Sequence, residues 1–348
     1  MRGRQPRDPP RPAPARAYHR RVPDPRPDDV TPSAAATTVP DLAGPLLPWY
    51  LAARRDLPWR APDATPWGVL VSEFMLQQTQ VDRVLPRWHA WLDAWPTPAD
   101  LAAALAGDAI RAWGRLGYPR RAVWLHAAAL QIVERHGGRV PDDLDALLAL
   151  RGVGNYTARA VLVFAFGQRH PVVDTNIRRV LARAVDGVAA PGPPNARRDL
   201  AAMARVLPRD AGRARQFTWA IMELGALVCT ARTPACDRCP ITDRCRWLLL
   251  GRPATTSRPA RRQARYEGSD RQARGRIMAR LRAATTPLTE DALIAGAPDA
   301  TQARRALASL VRDGLAVRAE AAEASQTRPS GARPGDGADE PHPCWRLP

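Results

Sequence analysis

The chain is 348 residues long, which fits two or three domains, and its 52 basic residues outnumber 34 acidic ones to give a net charge of +18. This excess favours a polyanionic partner, nucleic acid before a membrane surface, and the absence of lysine excludes an enzyme built on a lysine nucleophile. No apolar run reaches the roughly 18 residues of a membrane span, and the first forty residues lack the apolar core of a secretory signal. We therefore expect a cytoplasmic, nucleoid-associated protein that makes no membrane contact.

Composition divides the chain into four stretches. Residues 1–40 are rich in arginine and proline and predict a disordered basic tail. Residues 41–250 show helical periods separated by turn signals, and residues 251–318 combine a basic linker with a small helical module. The stretch 319–348 is rich in Ala, Ser, Gly and Pro and predicts a second disordered tail.

The pattern of residues 41–250 contains no convincing strand alternation, so this core is predicted to be all-α. Thr65 and Thr97 are each followed by proline, the form of an N-cap before the first helical position. A glycine pair closes the helix that starts at Arg120. Helix starts are predicted near Thr65, Val81, Thr97, Arg120, Pro141, Asn155, Thr175, Asn195 and Arg213.

Beyond the basic linker, residues 271–282, 289–295 and 301–313 predict three short helices. They are followed by a glycine turn into a possible strand at 314–318. Three helices and a hairpin is the order of a winged helix-turn-helix, a common DNA-docking unit. A small packing module with no DNA contact is an equal alternative.

Four cysteines lie close together in the sequence, with six, two and five residues between them: Cys229, Cys236, Cys239 and Cys245. Four thiolates at this density can surround one metal centre, and zinc and a [4Fe–4S] cluster both accept four. Only one short C-x-x-C knuckle is present, whereas a zinc ribbon usually pairs two. The fifth cysteine, Cys344, lies in the predicted C-terminal tail and is left out of the site.

A second motif places Gly152-Val153-Gly154 between two predicted helices. Glycines at this spacing let the chain turn sharply and direct its N–H groups outward at the start of the next helix. Such a nest binds a phosphate without reading sequence. Asp174 follows at the start of another helix, eighteen residues beyond Tyr156.

These motifs together resemble the endonuclease III superfamily of DNA glycosylases. The stretch Ser72-Glu73-Phe74-Met75-Leu76-Gln77-Gln78-Thr79-Gln80-Val81 is specifically similar to the MutY adenine glycosylases, as are Leu57-Pro58-Trp59-Arg60 and Leu116-Gly117-Tyr118. The resemblance implies a helix-hairpin-helix fold with a six-helix barrel over about 66–182 and a cluster domain from 41–65 and 183–250. It also implies one [4Fe–4S] cluster on the four cysteines and duplex DNA in the groove between the two domains.

Loss of a purine needs a proton at the departing base and a negative charge near the sugar. The sequence neighbours of Glu73 are apolar, which should raise the pKa of its carboxyl and keep it protonated. Asp174, at a helix start beside Thr175 and Asn176, should remain ionised. The predicted catalytic set is Glu73, Asp174, Tyr156 and Asn176, with the last two in positioning roles.

The resemblance also implies the residues that contact DNA and the base. Gln78 would be the wedge, the side chain that fills the space left by the flipped base. Thr79, Leu116 and Tyr118 would lie near the opposing base. The phosphate would be held by Gly152, Val153 and Gly154. The adenine pocket would consist of Arg55, Leu57, Trp59, Arg60, Leu76, Val81 and Glu223. Trp59 and Glu73 lie one residue farther apart than the family usually has, which makes Trp59 and Arg60 the least secure members.

Bifunctional members of the superfamily carry a lysine at the position of Tyr156 and use it to cut the strand. The tyrosine therefore predicts a monofunctional enzyme. The resemblance implies an adenine glycosylase that acts on adenine opposite 8-oxoguanine or guanine, and we expect it to be a monomer. Residues 251–348 look too short for the β-rich domain with which many members inspect 8-oxoguanine. The alternatives are a thymine-mismatch or oxidised-pyrimidine glycosylase on the same scaffold, and a non-catalytic iron–sulfur DNA-binding regulator.

Overall fold

The computed structural model describes residues 40–254, 265–319 and 343–348. These residues form fifteen α-helices and three short strands. The helices are α1 (Ala43–Ala53), α2 (Pro66–Leu76), α3 (Val81–Ala94), α4 (Pro98–Ala103), α5 (Ala106–Trp113), α6 (Arg120–His136), α7 (Leu144–Ala149), α8 (Asn155–Phe164), α9 (Thr175–Leu181), α10 (Ala196–Val206), α11 (Ala211–Leu227), α12 (Arg246–Leu249), α13 (Asp270–Ala283), α14 (Glu290–Ile294) and α15 (Ala300–Arg312). The strands are β1 (Leu288–Thr289), β2 (Val317–Arg318) and β3 (Cys344–Arg346).

Many of the helices begin at side-chain caps. In α2 the hydroxyl of Thr65 accepts the backbone N–H of Gly68 at 3.0 Å, and Pro66 follows as the first helical residue. Each such cap stabilises a helix by about 1 kcal/mol. The capping side chains are Thr65, Thr97, Asp143, Asp174, Asn195, Asp210, Ser269, Thr289 and Asp299. Helix α5 has no side-chain cap and carries no start signal that the sequence pattern detects.

The first hydrophobic core is enclosed by α2 to α8. Nine of the eleven residues of α2 are buried, and Leu70, Val71 and Phe74 have no exposed surface. Around this helix Trp91 and Trp113 pack edge to face, with 5.7 Å between ring centroids. The all-helical barrel predicted from the sequence is present, and α2 carries Glu73 into its wall.

The second core is formed by the segments that precede and follow the barrel in the sequence. Helix α1 precedes the barrel in the chain and packs on α11, which follows it. Leu46 and Tyr50 of α1 lie in the same cluster as Phe217 and Ile221 of α11. The buried side chains of α9 also belong to this cluster, although the resemblance implies a barrel that extends to about residue 182. Asp174, the N-cap of α9, therefore lies at the start of a helix of the second core, and its charge acts on Glu73 of the first.

A C-terminal module, α13 to α15 with β1 to β3, packs against the barrel. Its three helices begin within one residue of the predicted starts, and its strands form an antiparallel sheet in the order β1-β3-β2. Ile277, Leu281 and Leu307 of the module belong to the same buried cluster as the barrel residues. The module is therefore continuous with the barrel core.

The prediction of a disordered stretch over 319–348 is wrong for its last six residues. Cys344, Trp345 and Arg346 form the central strand of the module, and Cys344 is 5% exposed. The carbonyl oxygen of Pro348 accepts the N–H of Gly107 at 2.6 Å, and a Cβ on that glycine would lie 2.8 Å from the oxygen. A three-residue strand has too little periodicity to register in a sequence pattern. Residues 1–39, 255–264 and 320–342, which include most of both predicted tails, lie outside the described residues.

Within the described part of the chain, none of the helices has the length and apolar character that a membrane span requires.

Candidate active site

Glu73 lies near the end of α2 and is 5% exposed. Burial raises the pKa of its carboxyl to about 7. The Tyr156 hydroxyl, which donates a hydrogen bond to this carboxyl, and the charge of Arg60 lower the pKa, while the negative charge of Asp174 raises it further. A carboxyl with this pKa keeps a large protonated fraction at neutral pH. The raised pKa expected from the apolar neighbours of Glu73 is present.

Asp174 caps α9 and is held at both oxygens. Oδ1 accepts the backbone N–H of Ile177 at 2.7 Å, and Oδ2 accepts the side-chain amide of Asn176 at 2.9 Å. Burial raises the pKa of this carboxyl above its usual value, and these hydrogen bonds and the charge of Arg179 offset that rise only in part. The sequence pattern anticipated the capping contact but not the extent of burial.

Tyr156 is the second residue of α8, and both carboxyl groups act on its phenol. Burial raises the pKa of the phenol well above the usual value, and the charges of Glu73 and Asp174 raise it further. The hydroxyl therefore stays protonated and donates to Glu73. The structure thus brings Glu73 from the barrel, Asp174 from the second core and Tyr156 into one neighbourhood.

Asn176 is held in turn by Arg179. Nη2 of Arg179 donates to the Asn176 side-chain oxygen at 2.9 Å and to the carbonyl of Gly225 at 2.6 Å, while Nε donates to the carbonyl of Cys229 at 2.7 Å. A Cβ on Gly225 would lie 2.6 Å from the Cβ of Asn176. Helix α11 therefore approaches α9 closely because this position has no side chain.

The expected adenine-pocket residues divide into an ion cluster and an apolar wall. Glu223 has no exposed surface and accepts hydrogen bonds from Nε of Arg55 at 2.7 Å and Nη1 of Arg60 at 3.0 Å. A bound base would therefore reach this carboxylate only through the arginines. Leu57 and Trp59 are buried, and Leu76 and Val81 are partly buried against the barrel core.

Two adjacent loops carry non-glycine residues with positive φ. Gln78 has a φ of 56° and Tyr118 a φ of 47°, a backbone region that costs energy for such side chains. Both are exposed, and Tyr118 retains 58% of its surface. Thr79 donates to the carbonyl of Leu116 at 3.3 Å, which ties the loops together. Leu116 itself is 5% exposed, so it supports the loop from below.

Arg121 fixes both loops and is a functional residue that the sequence analysis missed. Its buried guanidinium donates to the carbonyls of Phe74 at 2.8 Å, Met75 at 3.2 Å and Gly117 at 3.1 Å, and to the Thr79 hydroxyl at 3.2 Å. The sequence contains no signal for this role, because one arginine in a chain so rich in them looks like any other. The same holds for Arg179.

The helix-hairpin-helix consists of α7, the turn at Gly152 to Gly154, and α8. Gly152 has a φ of 81°, and a Cβ there would lie 2.8 Å from the Cβ of Trp124 and 2.9 Å from the ring of Phe74. Helix α8 begins without a side-chain cap, so no side chain occupies its first N–H groups. Val153 is fully buried, so its side chain anchors the hairpin and only its backbone can face a phosphate.

The four cysteines expected to hold a metal centre line one cavity. Cys229 follows α11, and Cys236, Cys239 and Cys245 lie on the two short 3₁₀ turns before α12. Nη1 of Arg183 donates to the Cys229 sulfur at 3.3 Å, a position that offsets thiolate charge. Four thiols that line one cavity form a donor set that zinc and an iron–sulfur cluster both accept.

The comparisons with known proteins agree with this geometry. A model of the HhH-GPD superfamily of base excision DNA repair proteins matches residues 71–204, and one of the iron–sulfur binding domain of endonuclease III matches residues 229–245. An adenine DNA glycosylase of Mycobacterium tuberculosis is 52% identical over 287 residues, which span 80% of this chain and 93% of that relative.

Two further comparisons involve thymine-DNA glycosylases. One from Aeropyrum pernix is 35% identical over 203 residues, which span 58% of this chain and 91% of that relative. The solved structure of a thermostable thymine-DNA glycosylase aligns with a TM-score of 0.54 at 27% identity and covers 60% of this chain and 95% of that one.

The fold, the hairpin and the cysteine domain define the class: helix-hairpin-helix glycosylases of base excision repair, with an iron–sulfur binding domain. Within this class the chain belongs to the adenine DNA glycosylase family. It is 52% identical to the Mycobacterium tuberculosis member over 80% of its own length.

Proposed function

We propose that the chain hydrolyses the N-glycosidic bond of adenine opposite 8-oxoguanine or guanine and leaves an abasic site. The observation that carries this proposal is the electrostatic pairing of Glu73 with Asp174. Glu73 is buried with a pKa of about 7, whereas Asp174 is held by two hydrogen-bond donors. Two carboxyl groups in contrasting surroundings supply an acid and an anion at one site.

In the proposed reaction the Glu73 carboxyl transfers its proton to N7 of the everted adenine. The electron pair of the N-glycosidic bond leaves with the base, and the sugar becomes an oxocarbenium ion whose charge Asp174 opposes. Water then adds to the sugar cation and gives its proton to the Glu73 carboxylate, which restores the acid. Tyr156 orients Glu73 by its hydrogen bond, and Asn176 orients Asp174.

The adenine would occupy the slot walled by Leu57, Trp59, Leu76 and Val81. An apolar slot with a few polar edges suits a purine ring. Glu223 would act indirectly, since it holds Arg55 and Arg60 in place and the charge of Arg60 lowers the pKa of Glu73.

DNA would approach across the two loops and the hairpin. Gln78 is exposed on its strained loop and would fill the space left by the everted base, whose unstacking costs a few kcal/mol. Thr79, Leu116 and Tyr118 would support the opposing strand. The backbone of Gly152, Val153 and Gly154 at the uncapped start of α8 would bind a phosphate.

The tyrosine at position 156 supports a monofunctional reaction, since no lysine is available for a Schiff base. Incubation with an abasic duplex and borohydride should therefore trap no covalent adduct. An adduct formed at the rate of base release would overturn this part of the proposal.

We further infer that the cysteines hold one [4Fe–4S] cluster. Burial raises the thiol pKa of Cys239 to about 11 and raises that of Cys245, and a bound metal centre would favour the thiolate form of both. When bound, the cluster would tie the loop of residues 229–245 into a fixed shape. About four iron and four sulfide per chain are expected on analysis, and zinc in their place would contradict the assignment.

A glycosylase assay on each mispair, followed by alkali, tests the central proposal. Strand breaks should appear at adenine opposite 8-oxoguanine and guanine and not at thymine opposite guanine or at oxidised pyrimidines. The similarity to a thymine-DNA glycosylase makes thymine release the second candidate, and breaks at thymine alone would establish it. A non-catalytic DNA-binding regulator would give no breaks on any substrate.

We also expect the protein to be a monomer, to be located in the cytoplasm and to associate with the nucleoid. Sedimentation of the purified chain and fractionation of cells test them directly.

A further inference from the structure

The turn that follows α5 is surrounded by arginine side chains. Nη2 of Arg83 in α3 donates to the carbonyl of Arg115, and Nη1 of Arg282 in α13 donates to the carbonyl of Gly114 at 2.9 Å. Gly114 is the C-cap of α5 with a φ of 57°, and a Cβ there would lie 3.2 Å from the guanidinium carbon of Arg87. We call the four side chains at this turn the arginine cluster: Arg83, Arg87, Arg115 and Arg282.

No carboxylate is paired with the arginine cluster. Within the described part of the chain, none of its four members takes part in an ion pair. Other arginines on the same elements do: Arg111 of α5 pairs with Asp108 at 2.9 Å, and Arg274 of α13 pairs with Asp313 at 2.7 Å. The fold therefore gathers four like charges from three segments of the chain without a paired countercharge.

The arginine cluster keeps hydrogen-bond donors for a ligand. A guanidinium has five N–H donors, and the bond that Arg83 or Arg282 makes to the turn takes only one of them. Arg83, Arg87 and Arg115 are exposed and Arg282 is half-buried. Burial and the charge of Arg115 lower the pKa of Arg282. An anion would accept the spare donors and offset the repulsion, and a phosphate fits the planar guanidinium fork.

The arginine cluster lies beside the two loops that are expected to meet DNA. Arg115 is three residues before Tyr118, so the Cα atoms of the two residues are at most about 11 Å apart. Thr79, which follows Gln78, donates to the carbonyl of Leu116 at 3.3 Å. Along one strand of a duplex the phosphates repeat every roughly 3.4 Å of the helix axis. A phosphate within about three nucleotides of the base at Tyr118 is therefore in reach of these arginines.

We propose that the arginine cluster binds one backbone phosphate of the strand opposite the everted adenine, within about three nucleotides of the opposing base. The proposal rests on the proposed function, which places that strand against Tyr118. Arg282 belongs to the C-terminal module and the other three arginines belong to the barrel, so the phosphate would hold module and barrel together on DNA. A contact to the backbone carries no base preference of its own.

The first test measures how binding depends on salt, without catalysis. The full-length protein is titrated against a duplex that carries a tetrahydrofuran abasic analogue opposite guanine. The combined variant Arg83→Gln, Arg115→Gln and Arg282→Gln removes three charges and keeps an amide donor at each position. The slope of the logarithm of affinity against the logarithm of salt concentration should become shallower by about 0.9, the value for one phosphate. Partial unfolding would lower the active fraction but leave this slope unchanged.

Two single variants frame this result. Arg282→Lys keeps the charge, so its slope should remain that of the wild type. Arg209→Gln is the matched control, because Arg209 is an exposed arginine on the turn between α10 and α11. Nε of Arg169 donates to the carbonyl of Pro208 at 2.7 Å, which places this turn beside the chain that leaves α8, at the end opposite the hairpin. The slope of Arg209→Gln should also be unchanged.

The second test locates the phosphate. A methylphosphonate, which carries no charge, replaces one phosphate at a time at the three positions on either side of the opposing base and of the abasic analogue. One replacement on the opposing strand should weaken binding by the wild type. At that position the combined variant should lose no further affinity, because both changes remove the same contact.

Three results would overturn the proposal. A slope in the combined variant equal to that of Arg209→Gln would mean that the arginines bind no phosphate. A shallower slope without a shared methylphosphonate position would mean that they attract DNA only as diffuse charge. A shared position on the strand of the abasic analogue would reject the opposing strand. Absence of adenine release by a wild-type protein that shows the shared position would refute the proposed function and leave the phosphate contact standing.

Discussion

Glu73 and Asp174 are both buried carboxyl groups whose pKa burial raises, yet they differ in the hydrogen bonds that they accept. Glu73 lies inside the barrel wall, where the Tyr156 hydroxyl is its hydrogen-bond donor. Asp174 lies at a helix start in the second core, where a backbone N–H and an amide both donate to it. These donors and the charge of Arg179 offset part of the effect of burial at Asp174. The comparison shows how the number of donors can separate two carboxyl groups that are both buried.

The largest effect is expected from Glu73→Gln, which removes the transferable proton but keeps the shape. The single-turnover rate of adenine release should fall about a thousandfold, within the range of general acid catalysis. Glu134→Gln is the control, because Glu134 is a solvent-exposed glutamate on α6. An unchanged rate of adenine release in Glu73→Gln would mean that Glu73 is not the acid.

Asp174→Asn should lower the same rate about a hundredfold, because the sugar cation loses its counter-charge. The matched control is Asp210→Asn, since Asp210 caps α11 by accepting the N–H of Arg213 at 2.8 Å. Both variants weaken a helix cap at a cost of about 1 kcal/mol of stability. Equal rates in the two variants would mean that Asp174 is only a cap.

Gly225→Ala acts on Asp174 through Asn176, which the new methyl group would meet. The new methyl group would collide with Asn176, so we expect a loss of about 1–3 kcal/mol in the free energy of unfolding and roughly a tenfold slower rate. Gly212→Ala on the same helix meets nothing closer than 3.4 Å and should be neutral or slightly stabilising. Chemical denaturation and single-turnover assays of both variants separate packing from helix propensity.

Tyr156→Phe should change the rate of adenine release the least of these variants. Its effect should be clearest in the dependence of that rate on pH. Activity needs protonated Glu73, so the wild-type rate should fall as pH rises through about 7. The tyrosine hydrogen bond lowers the pKa of Glu73, and its removal should shift the falling limb to higher pH. Tyr266→Phe, at an exposed tyrosine, should leave the profile unchanged, and a shift to lower pH in Tyr156→Phe would contradict the assigned hydrogen bond.

The sequence predicted those parts of the molecule that depend on local signals. Caps such as Thr65 and Asp174, the hairpin glycines and the cysteine spacing act over a few residues, so the sequence reveals them directly. Strand β3 and the roles of Arg121 and Arg179 depend on contacts between distant segments. No local pattern distinguishes these arginines from the others.

The return of α1 onto α11 has a consequence for how the molecule assembles. Arg55 and Glu223, which join these flanks, are separated by 168 positions, so the second core cannot close until the intervening barrel has been synthesised. Closing so long a loop costs little more than closing a short one, but it delays the event. We therefore expect the barrel to fold first, and Glu73 and Asp174 to come together only when the flanks meet.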